Sequence, residues 1–388
     1  MIFATVISSL KREFRILISR RIYFATMIVV PIASACFLLN LLGDGLPVKT
    51  PVAVVDLDNS TMSRQLTRTL SALQSVDVAY RYPNFNEAMS QLQEGNIYGF
   101  FLIPEDFERE ATSNLAPTLS YFCNMSYYIP GTLSFKGFKT MAVSTSGSIV
   151  SAQLLGVGAE EDQVDAILQP IVIQEHPLNN PWSNYSIYLC NSFIPGIIAL
   201  MVLLVTVFSV CSEIKNSTSP QWLHTAGNSI YIALLGKLLP HTLIFSTVAI
   251  MCQSLMYGYN HFPLNCNALT IISAMMLLVI ACQSVGLIVC CIMPNLRLAL
   301  SIVSLLGILS FSITGFSFPV ESMYGAIGIF SYLIPVRHYF LIYIDQALNG
   351  IDIYYSRWQF VSLVIYPIIA CVLVPLLKRR LSHPIYVP

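Results

Sequence analysis

Charge is scarce in this chain. Acidic and basic side chains make up 10% of its 388 residues, whereas a soluble globular domain carries about 25%. Hydrophobic residues account for 55%, and they are clustered in blocks, so lipid is the solvent that most of the chain is built for. The sequence patterns of common enzymes are missing too. There is no GxxxxGK[ST], so the chain does not bind ATP through a phosphate loop, and there is no GxGxxG, GxSxG or HExxH.

Other classes are excluded in the same way. The six histidines, His176, His224, His241, His261, His338 and His383, are scattered and give no zinc-ligand spacing. Of ten cysteines, Cys36, Cys252, Cys282, Cys290, Cys291 and Cys371 lie in apolar blocks and read as small buried hydrophobes. No CxxC occurs, and Cys123 alone lies well inside polar sequence, so no disulfide framework is implied. No basic stripe interleaved with aromatics marks a nucleic-acid surface. Glu160, Glu161, Asp162 and Asp165 read as a solvated helix face and lack the spacing of a calcium loop. Asp56 and Asp58 sit where a strand turns into a helix and read as capping residues rather than a catalytic pair.

Six apolar blocks remain, at about 22–42, 189–210, 230–256, 268–292, 298–316 and 360–377, each near the roughly 20 residues that cross a bilayer. The first is longer than a signal-peptide core and reads as an uncleaved anchor. Pro31 inside it is tolerated in a membrane helix and tends to kink it. The net charge of zero hides a pattern. Residues 1–21 carry Lys11, Arg12, Arg15, Arg20 and Arg21 against one acid, Glu13, and the tail carries Lys378, Arg379 and Arg380. Residues 44–175 hold seven basic and fifteen acidic residues. Six crossings place both basic ends on the cytoplasmic side and residues 43–187 outside, as the positive-inside rule asks.

Residues 1–21 read as an amphipathic helix at the membrane surface. Ile7, Leu10, Phe14, Leu17 and Ile18 form its apolar stripe, and Lys11, Arg12 and Arg15 fall mostly on another side. Residues 43–187 alternate strand-like and helix-like stretches: 51–56, 76–80, 98–103 and 118–122 as strands, with a further strand at 171–174. Helices between them start at the Asp58-Asn59-Ser60 turn, at Phe85 and at Pro104-Glu105-Asp106. Residues 128–167 are mainly helical. Lys237 stands almost alone as a charge inside an apolar block, and either snorkels to the interface or contacts a partner. Residues 317–357 are too apolar for a loop and too broken for a span. They read as short helices dipping into the outer leaflet, or as two amphipathic helices lying flat on it.

Three stretches resemble the permease subunit of ABC-2 type ABC transporters, in the bacterial branch with a large external domain after the first span. They are PVAVVDLDNSTMSRQLTRTL (51–70) with IYGFFLIPEDFERE (97–110), residues 212–223 with LGKLLP (235–240), and GFSFP (315–319) leading through Met323 to Pro335. Glu213, Thr218, Gln221, Gly236 and Lys237 match the family pattern. Lys215 replaces a common acid, Ser217 a glycine, Pro220 an acid, and Tyr324 a proline. The resemblance covers essentially the whole chain and implies an α-helical polytopic membrane protein with six transmembrane helices and an inserted extracytoplasmic α/β domain. It implies a connecting helix carrying Lys11, Arg12, Phe14 and Arg15. ATPase coupling falls to a helix over 213–223, with Glu213, Lys215, Thr218, Gln221, Trp222 and Leu223, together with Lys237. A re-entrant region would use Gly315, Phe318, Pro319, Glu321, Pro335 and Arg337.

By the same resemblance the chain is a non-catalytic subunit of an ATP-driven exporter in the bacterial inner membrane. It binds no cofactor or metal, while ATP and Mg belong to a separate ABC ATPase chain. A second permease chain, itself or a homologue, completes the path, and such systems often add a periplasmic adaptor and an outer-membrane channel. Two other readings compete: a membrane receptor or scaffold sensing through the external domain, and an outer-leaflet lipid enzyme using Glu321, Arg337, His338 and Asp345.

Overall fold

The computed structural model describes residues 2–113, 115–169, 176, 178–181 and 183–382. It is mostly helical and divides into two compact units, Leu46–His176 on one side of the division and Met1–Gly45 with Pro177–Pro388 on the other.

The chain opens with α1 (Ile2–Ser19), which ends at Arg20, a residue in extended conformation. Next comes α2 (Arg21–Leu41), the first of six helices long and apolar enough to cross a membrane. Its turn at Ala25–Val29 is π-helical, just before Pro31. Proline lacks the amide that would close its own turn, and a widened turn is a common way to accommodate that loss.

The helices and strands of the sheet-containing unit run from 50 to 168. Its elements are β1 (Thr50–Asp56), α3 (Thr61–Ser71), β2 (Val76–Arg81), α4 (Phe85–Glu94), β3 (Gly99–Ile103), α5 (Phe107–Thr112), β4 (Ser120–Cys123), α6 (Tyr128–Gly156) and α7 (Glu161–Leu168). The sheet order is β2-β1-β3-β4, with β1 parallel to both neighbours and β4 antiparallel to β3. Alternation along β1 explains its central place. Val52 and Val54 face Leu66 and Leu70 of α3 and Phe138 and Met141 of α6, while Ala53 and Val55 face Ala88 and Leu92 of α4. Both faces are covered, so the strand reads as a near-continuous apolar run. The strand expected at 171–174 lies outside the described residues.

The acids at the edge of this sheet cap it. Asp56 accepts from the amides of Asp58 and Asn59 and from the Ser63 hydroxyl, and Ser60 caps α3 through the Ser63 amide at 3.0 Å. One helix start differs from expectation. Pro104, Glu105 and Asp106 precede α5 instead of forming its first turn, because Asp106 is left-handed (φ 60°). The carboxylate of Asp58 accepts the Glu108 amide across the strand ends at 3.2 Å. That bond supplies an acceptor to an amide that the helix itself leaves unpaired.

The rest of the chain is helical: α8 (Tyr185–Lys215), α9 (Ser219–Thr225), α10 (Ile230–Tyr259), α11 (Ala268–Ile292), α12 (Leu296–Ile313), α13 (Gly325–Ser331), α14 (Pro335–Leu348) and α15 (Arg357–Ser382). Of these, α8, α10, α11, α12 and α15 complete the six candidate spans, and α13 with α14 make a pair bent by 77°, a seventh span if counted as one. The most buried spans are α8 and α11; α2, α12 and α15 are the least. α8 lies against α2, α11 and α12, α11 also packs on α15, and α1 lies along α10. Phe311 of α12 seats on Gly196 of α8, and Leu200 of α8 on Gly307 of α12. Small residues at such crossings let helices approach closely where the solvent is no driving force. Buried polar groups tie the bundle: Thr242 donates to Gln283, and Tyr257 to Asn191, both at 2.8 Å.

Candidate functional site

The site grows from the face that α1 presents to α10. Ser9, Glu13 and Leu17, one turn apart, are buried. Phe14 and Ile18 are 44% and 84% exposed, so the apolar stripe expected to define the helix is split. Leu17 turns inward, and Phe14 and Ile18 turn away from the protein. Gly236 sets the approach: a Cβ there would stand 2.3 Å from the Ser9 hydroxyl oxygen and 2.5 Å from its Cβ. A larger residue at 236 would push α1 off α10.

Beside that contact, charges from three helices converge. Arg12 of α1 grips Glu213, in the last turn of α8, with both guanidinium nitrogens at 2.8 and 2.9 Å. Lys237 of α10 reaches Glu13 at 2.8 Å and Glu213 at 3.1 Å. His241, one turn on, meets the other oxygen of Glu13 at 3.0 Å. A carboxylate only accepts, so the His241 proton sits on Nε2. Thr218 donates its hydroxyl to the second oxygen of Glu213. Two acids thus balance two bases, and both carboxylates are held at both oxygens. Lys237 is 1% exposed, so of the two readings left open, snorkelling to the interface or a contact with a partner, snorkelling is overturned: its ammonium turns inward to two carboxylates of this chain.

Residues 212–223 are not one helix, contrary to expectation. Glu213 and Lys215 end α8, Ser217 is left-handed (φ 54°), and α9 starts afresh at Ser219 with Pro220 in its first turn. The short helix is pinned at both ends: Ser219 donates to the Leu381 carbonyl of α15 at 2.9 Å, and Ser8 of α1 donates to the Thr225 carbonyl at 2.9 Å. Trp222 is buried, with its indole N–H on the Ala233 carbonyl at 3.3 Å and its ring 4.9 Å from the Lys237 ammonium. Leu223 is buried beside it, while Lys215 and Gln221 face outward. Lys11 and Arg15 are exposed as well. Of the residues expected to couple, then, Glu213, Thr218, Trp222 and Lys237 come together with Arg12, and Lys215, Gln221 and Lys11 remain at the surface.

The residues singled out at 315–337 gather elsewhere, with other partners. Arg337 is buried, donates to the Thr314 carbonyl at 2.8 Å and stacks on Tyr332 at 4.5 Å. Gly315 (φ 92°) makes room for it, since a Cβ there would meet the guanidinium at 2.7 Å. Pro335 opens α14, and Phe318, Pro319 and Glu321 are exposed. His338 bonds the Tyr332 carbonyl and Asp345 accepts from Ser356. Among the described residues no ion pair joins Glu321, Arg337, His338 and Asp345: Arg337 and His338 both contact Tyr332, Asp345 bonds Ser356, and Glu321 is exposed.

Glu13 and His241 were not among the expected site residues. Glu13 carried a signal, as the single acid among five bases in residues 1–21 and next to Arg12. Its environment pulls two ways: burial raises its pKa, and Lys237 and His241 together outweigh burial, leaving it below its ordinary value.

Six helices long and apolar enough to cross a membrane define a multi-pass membrane protein. More narrowly, the chain belongs to the ABC-2 family of transporters: residues 21–377 match the model of the ABC-2 family transporter protein. No curated protein matches it. Family membership makes the chain a membrane component of transport.

Two outcomes follow from the junction. Lys237→Met removes the shared cation and leaves two carboxylates underpaired. Unfolding in detergent should show a loss of about 3–5 kcal/mol, partly restored in the Lys237→Met/Glu13→Gln double variant. A double variant no more stable than the single one would rule out the ion pair as the cause. Because Glu13 titrates below its unfolded value, its stabilisation is complete above pH 4.5 and fades as pH falls below it. The melting midpoint should drop over that range less steeply in Glu13→Gln than in the parent chain.

Proposed function

We propose that this chain is the membrane-spanning subunit of an ATP-driven exporter and that the junction at Glu213 couples it to a separate ATPase chain. The observation that carries this reading is the double role of Glu213, which ends α8 and holds both α1 and α10 through Arg12 and Lys237. A partner pressing on the exposed side of α9, at Gln221 and His224, would move Trp222 against Lys237. Ser8 and Ser219 would pass the same displacement to α1 and α15. In this reading ATP and Mg are bound by the partner, and the present chain supplies the path.

Two such chains, identical or homologous, would enclose the path between them. Both basic ends would lie in the cytoplasm, with the sheet unit on the far side of a bacterial inner membrane, where an adaptor and an outer-membrane channel would meet it. The bent pair α13–α14, braced by Arg337, would enter the outer leaflet and return. The family assignment supports the transport role, and the positive-inside distribution supports the orientation.

Gln221→Arg and His224→Glu lie on the exposed side of α9 and should leave folding unchanged. In the complex purified with its ATPase they should cut stimulated ATP hydrolysis by about tenfold, the effect of one interface anchor. Full stimulation in both variants would remove α9 from the coupling surface. Orientation is read by an impermeant maleimide on intact cells, with exposed Cys36 and Cys371 replaced by alanine. A cysteine at Glu94 should label from outside, and one at Lys215 only after permeabilisation; the reverse pattern would invert the topology.

A further inference from the structure

Next to the charge junction lies a cavity of about 550 Å³, bounded by α1, the end of α8 and the turn leading to α9. Its buried lining, the floor, includes Glu213, Lys237 and Tyr23 with Arg12 beside them, and its exposed lining, the rim, includes Lys11, Arg15 and Arg20. The floor is electrically settled, because Glu13 and Glu213 balance Arg12 and Lys237. The rim is not. Lys11, Arg15 and Arg20 pair with no carboxylate among the described residues. Three positive charges therefore stand on one wall of a concave site.

We propose that this cavity binds a phosphate anion. Lys11 and Arg15 are one helical turn apart and share a face, and Arg20 sits in the extended break between α1 and α2, so all three reach the cavity from one continuous stretch of chain. Like charges gathered on a concave, partly apolar wall focus the field into the cavity and favour a compact anion over a flat protein surface. The hydroxyls of Ser8 and Thr225 in the lining already donate to backbone carbonyls, Ser8 to Thr5 and Thr225 and Thr225 to Trp222, so the cations are the donors an anion would meet. The surroundings favour a phosphate carried on a lipid. Phe14 and Ile18 are exposed just before an apolar span and Ile22 is exposed in its first turn, which suits acyl chains beside a headgroup. Free phosphate offers the same anion without that apolar contact. This site does not depend on the ATPase reading, since every group in it belongs to this chain.

The test uses the full chain in detergent, titrated with phosphatidylglycerol or phosphatidylcholine and read by native mass spectrometry, with inorganic phosphate as a separate competitor. Phosphatidylglycerol should bind preferentially. The Lys11→Gln/Arg15→Gln/Arg20→Gln variant should lose about fivefold in affinity for each cation removed. Arg21 and the tail cations remain to set its orientation. A Lys378→Gln/Arg379→Gln/Arg380→Gln variant, with the same loss of charge elsewhere, should keep the preference. Equal binding of both lipids with phosphate binding that depends on the three rim cations would support the site and identify the free ion as its ligand. The proposal is overturned if neither lipid preference nor phosphate binding is found. It is equally overturned if the rim variant keeps the parent's affinity, or if the tail variant loses as much as the rim variant.

Discussion

A carboxylate taken out of water must bring its countercharge with it. Glu13 and Glu213 are both buried, and the cations that hold them come from other segments: Lys237 from α10 for both, and Arg12 from α1 for Glu213. Removing one member leaves a buried charge unpaired, which costs far more than an exposed ion pair would return. Three helices are thereby obliged to meet at one place. Lys237 sits about 10 Å along α10 from its start, deep enough that its ammonium has to be answered by protein.

The packing around the junction follows from that requirement. Glu13 reaches Lys237 only if α1 lies close on α10, and that approach exists because residue 236 has no side chain to oppose Ser9. Trp222 closes the other side of Lys237 and anchors α9 by its indole N–H. The short helix is thus not a loose connection. Its two ends are bonded to α1 and α15 and its centre rests on the shared cation, so a rigid displacement of seven residues reaches four long helices within one layer of contacts.

The spans and the sheet were readable because their patterns have one meaning. Runs of about 20 apolar residues have few alternatives, and the alternation of Val52, Ala53, Val54 and Val55 between two covered faces suits a central strand. The orientation of α1 was not readable from the same kind of pattern. A helix at a membrane has two apolar environments, protein and lipid, so Phe14 and Ile18 satisfy the periodicity while facing away from the protein. The junction was half legible. Arg12, Glu213, Thr218, Trp222 and Lys237 stood out, but Glu13 and His241 lie 228 residues apart in sequence, and nothing local joins them. Lys237 misled for a related reason, because a lone lysine near a span end ordinarily reaches for water, and only the fold reveals two acids closer at hand.

An apolar contact of the same volume would often be at least as stable as such an ion network, so stability alone is a weak reason for its form. Position is a better one. Along α1 the buried face runs Ser9, Glu13, Leu17. A slip of α1 by one turn along α10 would bring Ser9 or Leu17 to Lys237 and strip both it and Glu13 of a partner. Apolar side chains tolerate such slips with small losses, whereas this arrangement converts a one-turn shift into an unpaired buried charge worth about 3–5 kcal/mol. The junction therefore admits one register of α1 on α10. In the proposed coupling role α1 would hand a displacement from the surface to the spans, and that restriction would keep the motion from being absorbed by sliding.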